Sequence, residues 1–368
     1  MVGLAEIKDA IRSFAVKEAG GVVSPLYEHL ATKASEDDEI AGLLTSARDG
    51  EARGTLLMAT AHRLIQADPI HPLSRYYPSL GGFDGVDSET WPLFREFLLS
   101  REDKARKIIA SRYTQTNEVR RAALLYPAVA QAAKEAGGKI ALLEVGCSAG
   151  LLLGLDKFSY RYQADGGEQL TAGPAKAAVG LHCALDLAPG AVLPKLPKKL
   201  NVIASVGLDR APVDADDEEE LAWLEACVWA DQPDRIRLLR SAAAAQRKYP
   251  PQLVTGDAID DLGVAVDRLP ADAPLVVITS HVLTYFPDRR EEFIDALAAL
   301  AGTRPLWWVS EEAYEGALKY VLPGRDDLAF EGAGAMCTLG LTSWSDGRAN
   351  ARALARTAPH GQRMTWLG

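Results

Sequence analysis

Residues 140–153, Ile-Ala-Leu-Leu-Glu-Val-Gly-Cys-Ser-Ala-Gly-Leu-Leu-Leu, constrain this chain more than any other stretch. An apolar run ends in Glu144, turns through Gly146 and Gly150, and enters a second apolar run. That pattern predicts a strand, a tight loop and a helix start, the βα turn at which open α/β sheets bind ligands. Gly146 and Gly150 lack a Cβ, so the backbone can turn sharply there and let a ligand approach closely. Free N–H groups at the following helix start can then meet the ligand's polar atoms.

The rest of the chain sets this unit in an alternating series. Strands are predicted at 140–145, 202–206, 252–255, 275–279 and 306–310, with helices at 150–157, 218–230, 235–246 and 290–301. That alternation specifies a mostly parallel sheet. The pattern then changes: 336–344, the turn Ser345-Asp346-Gly347 and 349–356 read as an antiparallel hairpin, with Asp-Gly supplying positive φ. Before residue 114 the chain reads as helices. Leu4, Ile7, Ile11 and Phe14 recur at helical spacing, Gly20-Gly21 stops the run, and Ser24-Pro25 is a cap followed by a first-turn proline. Further helices are expected at 56–65, 91–98 and 103–110. The segment 68–82, rich in proline and glycine, is expected to be a long binding loop carrying Arg75, Tyr76 and Tyr77. A helix is expected from Thr116 to about residue 136, with a kink or fresh start at Pro127. The domain expectation is therefore a helical N-terminal domain over 1–113 and an α/β domain over 114–368.

Composition excludes several functions. The 368 residues carry a formal net charge of −10, which argues against non-specific binding to nucleic acid or anionic membrane. No stretch approaches the ~18 apolar residues of a membrane span. Residues 1–9 show no basic start before an apolar core, so no signal peptide is expected and the cytoplasm is the expected compartment. The four cysteines (Cys147, Cys183, Cys227, Cys337) and six histidines are scattered without ligand-type spacing, so no metal is expected. The acidic run 214–220 is most simply a loop and a first helical turn.

Several segments together resemble the bacterial family grouped as domain of unknown function 2332 (DUF2332). They are His71-Pro-Leu-Ser-Arg-Tyr-Tyr-Pro-Ser-Leu-Gly, Thr114-Gln-Thr-Asn-Glu, Leu142-Leu-Glu-Val-Gly-Cys-Ser-Ala-Gly, Val206-Gly-Leu-Asp-Arg-Ala-Pro-Val-Asp, Cys227-Val-Trp-Ala-Asp-Gln-Pro-Asp, Gly256-Asp-Ala and Pro359-His-Gly. Cys147 stands where that family more usually has alanine. The resemblance implies a Rossmann-like fold similar to class I methyltransferases that use S-adenosylmethionine (SAM), and leaves the substrate open. Read as E-x-G-x-x-x-G, Glu144 to Gly150 is similar to the first motif of those enzymes.

A SAM site in such a fold holds a methionine tail, a ribose and an adenine along successive strand ends. Glu144, Gly146, Ser148 and Gly150 would meet the methionine and ribose end. Asp209 would accept from the ribose hydroxyls, and Asp257 from the adenine amino group, with Ala258 and Ile259 packed on the ring. Each carboxylate taken singly could equally be a cap or turn former. Asp209 lies far downstream of the glycine loop, so 160–200 must be an insertion, either a lid or substrate wall or passive decoration. For the acceptor, a small or medium-sized molecule, His281 is the candidate base and Tyr285 an orienting group. Asn117, Glu118 and Glu311 could face the substrate, although Glu118 also suits a first helical turn.

The same letters also read as G-x-S-x-G, the nucleophile elbow of an α/β-hydrolase, with Ser148 attacking and Asp257 or Asp288 and His281 or His360 as partners. Against this, the residues preceding the elbow are predominantly helical and contain no H-G-G-G segment. A non-catalytic SAM-binding protein is the third reading. A dinucleotide oxidoreductase lacks its G-x-G-x-x-G.

Overall fold

The strand Lys139–Val145 (β1) is buried from Ile140 onward, which is why its sequence is a continuous apolar run: a parallel strand covered on both faces shows no alternation. In the computed structural model, which describes residues 3–21, 23–329 and 336–368, β1 lies in an eleven-stranded sheet. The other strands are β2 (Ser159–Ala164), β3 (Gln169–Ala172), β4 (Gly180–Leu187), β5 (Asn201–Asp209), β6 (Gln252–Thr255), β7 (Leu275–Ser280), β8 (Leu306–Glu312), β9 (Cys337–Ser345), β10 (Arg348–Thr357) and β11 (Arg363–Trp366). Their order is β3-β2-β4-β11-β10-β9-β8-β7-β1-β5-β6. The block β6-β5-β1-β7-β8 is parallel throughout. The following β9 and β10 pair antiparallel as a hairpin beside β8. The fold is thus mixed α/β around a large, mostly parallel sheet.

The chain divides into two compact units. One is Met1–Thr116 with Asp216–Arg237, and the other is Asn117–Ala215 with Leu238–Gly368. The sheet unit has helices on both faces. The helix Arg121–Glu135 is buried almost all round and packs on β4, β7, β8 and β9, as expected of a helix apolar on every side. On the other face, Leu262, Val266, Phe293, Ile294 and Leu297 pack against Leu143, Val145, Leu208, Val277 and Trp308.

Two expectations for this unit need correction, and the 160–200 insertion can be placed. The helix predicted from Thr116 begins at Arg121, because Asn117 and Glu118 spend their side chains on the β1 loop and a turn. Residues 151–157 form a 3-10 helix, not an α-helix; Gly150 enters it left-handed and the chain straightens at Phe158 into β2. The 160–200 segment supplies β2, β3 and β4, which extend the sheet beyond β11 at the end opposite β6.

The other unit, over its described residues, is made of helices and turns. Ile7, Ile11 and Phe14 are the buried stripe of the helix Leu4–Phe14. The Ser24 hydroxyl caps Pro25–Ala34 by accepting from the Tyr27 N–H at 3.2 Å. The helix Gly54–Gln66 runs through the core, and Trp223, Ala226 and Ala230 complete that core from the 216–237 segment. Tyr76 and Tyr77, expected in a long binding loop, have their side chains buried in this core. Two 3-10 turns, Pro72–Tyr76 and Pro78–Leu80, fold the loop back on the helices. No described helix is long and apolar enough to cross a membrane.

Candidate functional site

β1 has β5 on one side and β7 on the other. The chain adds β5 and β6 to one side of β1, then β7 and β8 to the other, which makes the C-terminal edge between β1 and β7 a topological switch point, where open α/β sheets bind ligands. Among the described residues, three non-glycine residues have positive φ: Ser148 (51°), His281 (57°) and Asp346 (51°). Asp346 occupies the hairpin turn. The other two lie in the loops after β1 and β7, on either side of the switch point. Such strain persists only where neighbours enforce it. The Ser148 N–H donates to Asp209 Oδ2 at 2.7 Å, and its carbonyl accepts from Val213 N–H at 3.1 Å. The His281 N–H donates to the Glu311 carbonyl at 3.1 Å.

Glu144, Asp209 and Asp257 end β1, β5 and follow β6, and backbone bonds tie their turns together. The Gly146 N–H donates to the Leu208 carbonyl at 2.8 Å, and the Gly256 N–H to the Asp209 carbonyl at 2.9 Å. Asp209 also accepts from Ala211 N–H at 2.9 Å. Asp257 Oδ1 accepts from Ile259 N–H at 3.0 Å and lies 3.3 Å from an Arg289 nitrogen. Partial burial works to raise the Asp257 pKa, but those backbone donors and the arginine prevail and hold it below the usual value. Glu144 is different. It is buried, and its Oε2 has no hydrogen-bond partner among the described residues. Burial first, and then the Asp209 charge, push its pKa well up, with the Leu153 N–H acting the other way.

A carboxyl whose pKa is raised on folding favours the fold below the unfolded value and loses that contribution as pH rises through the folded one. Glu144→Gln is therefore expected to raise the melting temperature at pH 8 and to leave it unchanged near pH 4. Thermal melts at both pH values check this; equal effects at the two would contradict it.

Across the switch point, His281 Nε2 lies 3.3 Å from Glu311 Oε2 and 3.4 Å from Cys337 Sγ. Glu311 is fully buried and accepts from the hydroxyls of Ser280 (2.7 Å) and Thr357 (2.8 Å). Burial would raise its pKa, but His281, Arg121 and Ser280 outweigh that and lower it. Glu312 is also buried, and accepts from Val282 N–H at 2.9 Å. Burial dominates there, opposed by His281 and the backbone donors, and moves it up to about 7. Cys337 and Arg121 are the residues of this cluster that sequence reasoning missed. Nothing in the sequence shows that β9 pairs with β8, a register that sets Thr338 opposite Glu312 and so brings the neighbouring Cys337 to the end of β8.

The remaining predicted residues are distributed as follows. Asn117 donates to the Cys147 carbonyl at 3.1 Å and so belongs to the β1 loop. Glu118 accepts from Arg120 N–H at 3.1 Å. Ala258 and Ile259 pack against the apolar cluster under the sheet. Tyr285 is 64% exposed. Tyr76 and Tyr77 lie in the other unit's core, where the Tyr76 hydroxyl donates to Asp87 at 2.7 Å. The close approach allowed by the two glycines is taken up by protein: a Cβ on Gly150 would come within 2.9 Å of Leu253 Cδ2, and one on Gly146 within 2.8 Å of Val282 Cβ. A cavity of about 380 Å³ lies in the 160–200 segment beside Arg161, His182 and Lys198, and one of about 40 Å³ touches Gly150. Neither of these two cavities is lined by the acidic strand ends or His281.

With this geometry in hand, comparison with known proteins adds one firm finding. The family model described as "Uncharacterized protein conserved in bacteria (DUF2332)" matches residues 8–366. The chain belongs to that family. The match includes residues of both units. A comparison with curated proteins returns no match. Among solved structures, the DUF2332 chain is similar to the sugar N-methyltransferase KedS8 from Streptoalloteichus, at 14% identity over 64% of this chain and 71% of that one, with a TM-score of 0.25. It is also similar to Streptomyces venezuelae DesVI, at 13% identity over 66% and 79%, again with a TM-score of 0.25. At that score the likeness carries no weight for activity.

Proposed function

We propose that this DUF2332 chain binds SAM at the C-terminal edge of β1, β5 and β6, in a Rossmann-like methyltransferase arrangement, and transfers its methyl group to a small or medium-sized acceptor. The observation that carries the reading is the buried, unpartnered Glu144 Oε2 at the end of β1, beside Asp209. A buried carboxylate oxygen lacking a donor is costly unless a ligand supplies one, and the ammonium of a methionine tail is such a donor. Asp209 and Asp257 already accept backbone N–H groups, but a carboxylate has about four lone-pair positions. Capacity for ribose hydroxyls at Asp209 and for the adenine amino group at Asp257 therefore remains, with Ala258 and Ile259 offering apolar surface to the ring.

When bound, SAM would supply an electrophilic methyl on a sulfonium. The chain's own work is to hold the acceptor in line, from which much of the rate of such a transfer can come. The acceptor side lies beyond the ends of β7 and β8, near His281 and the exposed ring of Tyr285. If Asp257 holds the adenine, Asp257→Ala is expected to weaken SAM and S-adenosylhomocysteine alike by about five- to tenfold, the worth of one or two hydrogen bonds. Equilibrium dialysis of both ligands measures it, and unchanged affinity would remove Asp257 from the site.

One observation favours the second reading. Ser148 has the left-handed backbone that a nucleophile elbow requires. However, β1 is the first strand among the described residues, and a 3-10 helix follows the serine. Labelling by a fluorophosphonate that is lost in Ser148→Ala would support the hydrolase. Binding of SAM without turnover over a broad set of acceptors would support a non-catalytic binder.

A further inference from the structure

The cluster beyond β7 and β8 goes past the adenosyl reading and does not depend on it. His281 Nε2 from the loop after β7, Glu311 Oε2 from β8 and Cys337 Sγ from β9 all lie within 4.8 Å of one another. A relay of cysteine, histidine and acid would place the thiol and the carboxylate on opposite ring nitrogens. Here both face the same one, at 3.4 and 3.3 Å. Three donors meeting at one point is what a shared cation requires. Tetrahedral zinc, with Zn–N, Zn–O and Zn–S distances of about 2.0–2.3 Å, holds its ligand atoms about 3.3–3.6 Å apart.

We propose that His281, Glu311 and Cys337 bind one divalent transition ion of zinc type, with a fourth position open to water or substrate. The donor set selects the ion: thiolate and imidazole favour zinc-like metals, whereas magnesium and calcium take oxygen ligands. The surroundings agree. The hydroxyls of Ser280 and Thr357 fix the Glu311 carboxylate, as outer partners of metal ligands commonly do. Binding forms the metal–sulfur bond and releases the thiol proton to solvent. The His281 side chain keeps 27% of its surface exposed, which leaves an approach to the open position. On this proposal His281 is a ligand and not a free base, and an acceptor oxygen or water on the ion would lose its proton more easily.

The test uses the full chain stripped with a chelator and titrated with Co²⁺, then Zn²⁺. One equivalent of Co²⁺ is expected to give the near-ultraviolet band of thiolate-to-cobalt charge transfer with intense tetrahedral visible bands, and Zn²⁺ should bleach both. The charge-transfer band should vanish in Cys337→Ser and persist in Cys147→Ser, Cys183→Ser and Cys227→Ser; His281→Ala should weaken Co²⁺ at least tenfold. Absence of the band in the unmutated chain overturns the proposal without recourse to any variant. So does a band that survives in Cys337→Ser.

Discussion

Gly146→Ala is expected to destabilise the sheet unit by about 2–5 kcal/mol, the sum of a backbone cost and an overpacking cost. Gly146 sits at φ 75°, and a left-handed backbone costs a non-glycine residue about 1–2 kcal/mol. The added Cβ would also overlap the Val282 side chain from the loop after β7, and overpacking costs typically about 1–3 kcal/mol more. A double-mutant cycle isolates the part of the second term that comes from the Val282 methyls. Val282→Ala removes both methyls but keeps its Cβ, which would lie 2.8 Å from the new one, so it should return only part of the overpacking share to Gly146→Ala and leave the backbone share. Urea unfolding of the four proteins measures the coupling. A Gly146→Ala stability within about 0.5 kcal/mol of the parent, the usual range for an unremarkable surface change, would show that the two loops do not pack as described.

Acid is expected to weaken the helical unit through one residue, His62. Its ring is wholly buried; Nδ1 lies 3.1 Å from the carbonyls of both Ala226 and Val228, and Nε2 lies 2.8 Å from the Ser79 hydroxyl. These partners suit the neutral tautomer with the proton on Nδ1. Burial, only partly opposed by the two carbonyls, lowers the pKa from 6.5 to about 4. The unfolded chain therefore takes up a proton first as pH falls. The stability associated with neutral His62 is fully present above about pH 6.5 and is lost progressively down to about pH 4. At about 1.4 kcal/mol per pH unit the loss reaches about 3 kcal/mol. Other carboxylates also titrate in this range, so the informative quantity is the difference between the parent and His62→Gln. Urea midpoints at pH 7.5, 5.5 and 4 should converge as pH falls, because the variant has no imidazole to charge. Parallel curves would assign the acid sensitivity elsewhere.

Much of the architecture was legible because it rests on local rules. The helix Arg290–Ala301 and the strand Gln252–Thr255 lie where periodicity and flanking signals put them. The Ser24 cap and the Asp346-Gly347 turn follow from side-chain and backbone chemistry. What failed depended on partners remote in sequence. Tyr76 and Tyr77 looked like loop aromatics, but burial against the helices decides their place. Tyr160, Tyr162 and Ala164 are buried while Arg161 and Gln163 between them are exposed, the period-two signature of a strand, yet the insertion was read only as a lid, a wall or decoration. The short 3-10 segment after Gly150 is apolar enough to pass for an α-helix. The His281–Glu311–Cys337 cluster was out of reach because it needs the β8–β9 register, and strand pairing is not written in residue spacing.

The SAM reading stands or falls on whether Asp209 serves an adenosyl group as well as the Ser148 loop. Calorimetric titration of SAM into the parent chain and into Asp209→Ala, with circular dichroism to show that both are folded, addresses this most directly. The expected result is saturable heat at one equivalent for the parent and at least tenfold weaker binding for the variant, which loses the ribose acceptor and the 2.7 Å tie to Ser148 together. No saturable heat with the parent, or equal affinity in the two proteins, would contradict it.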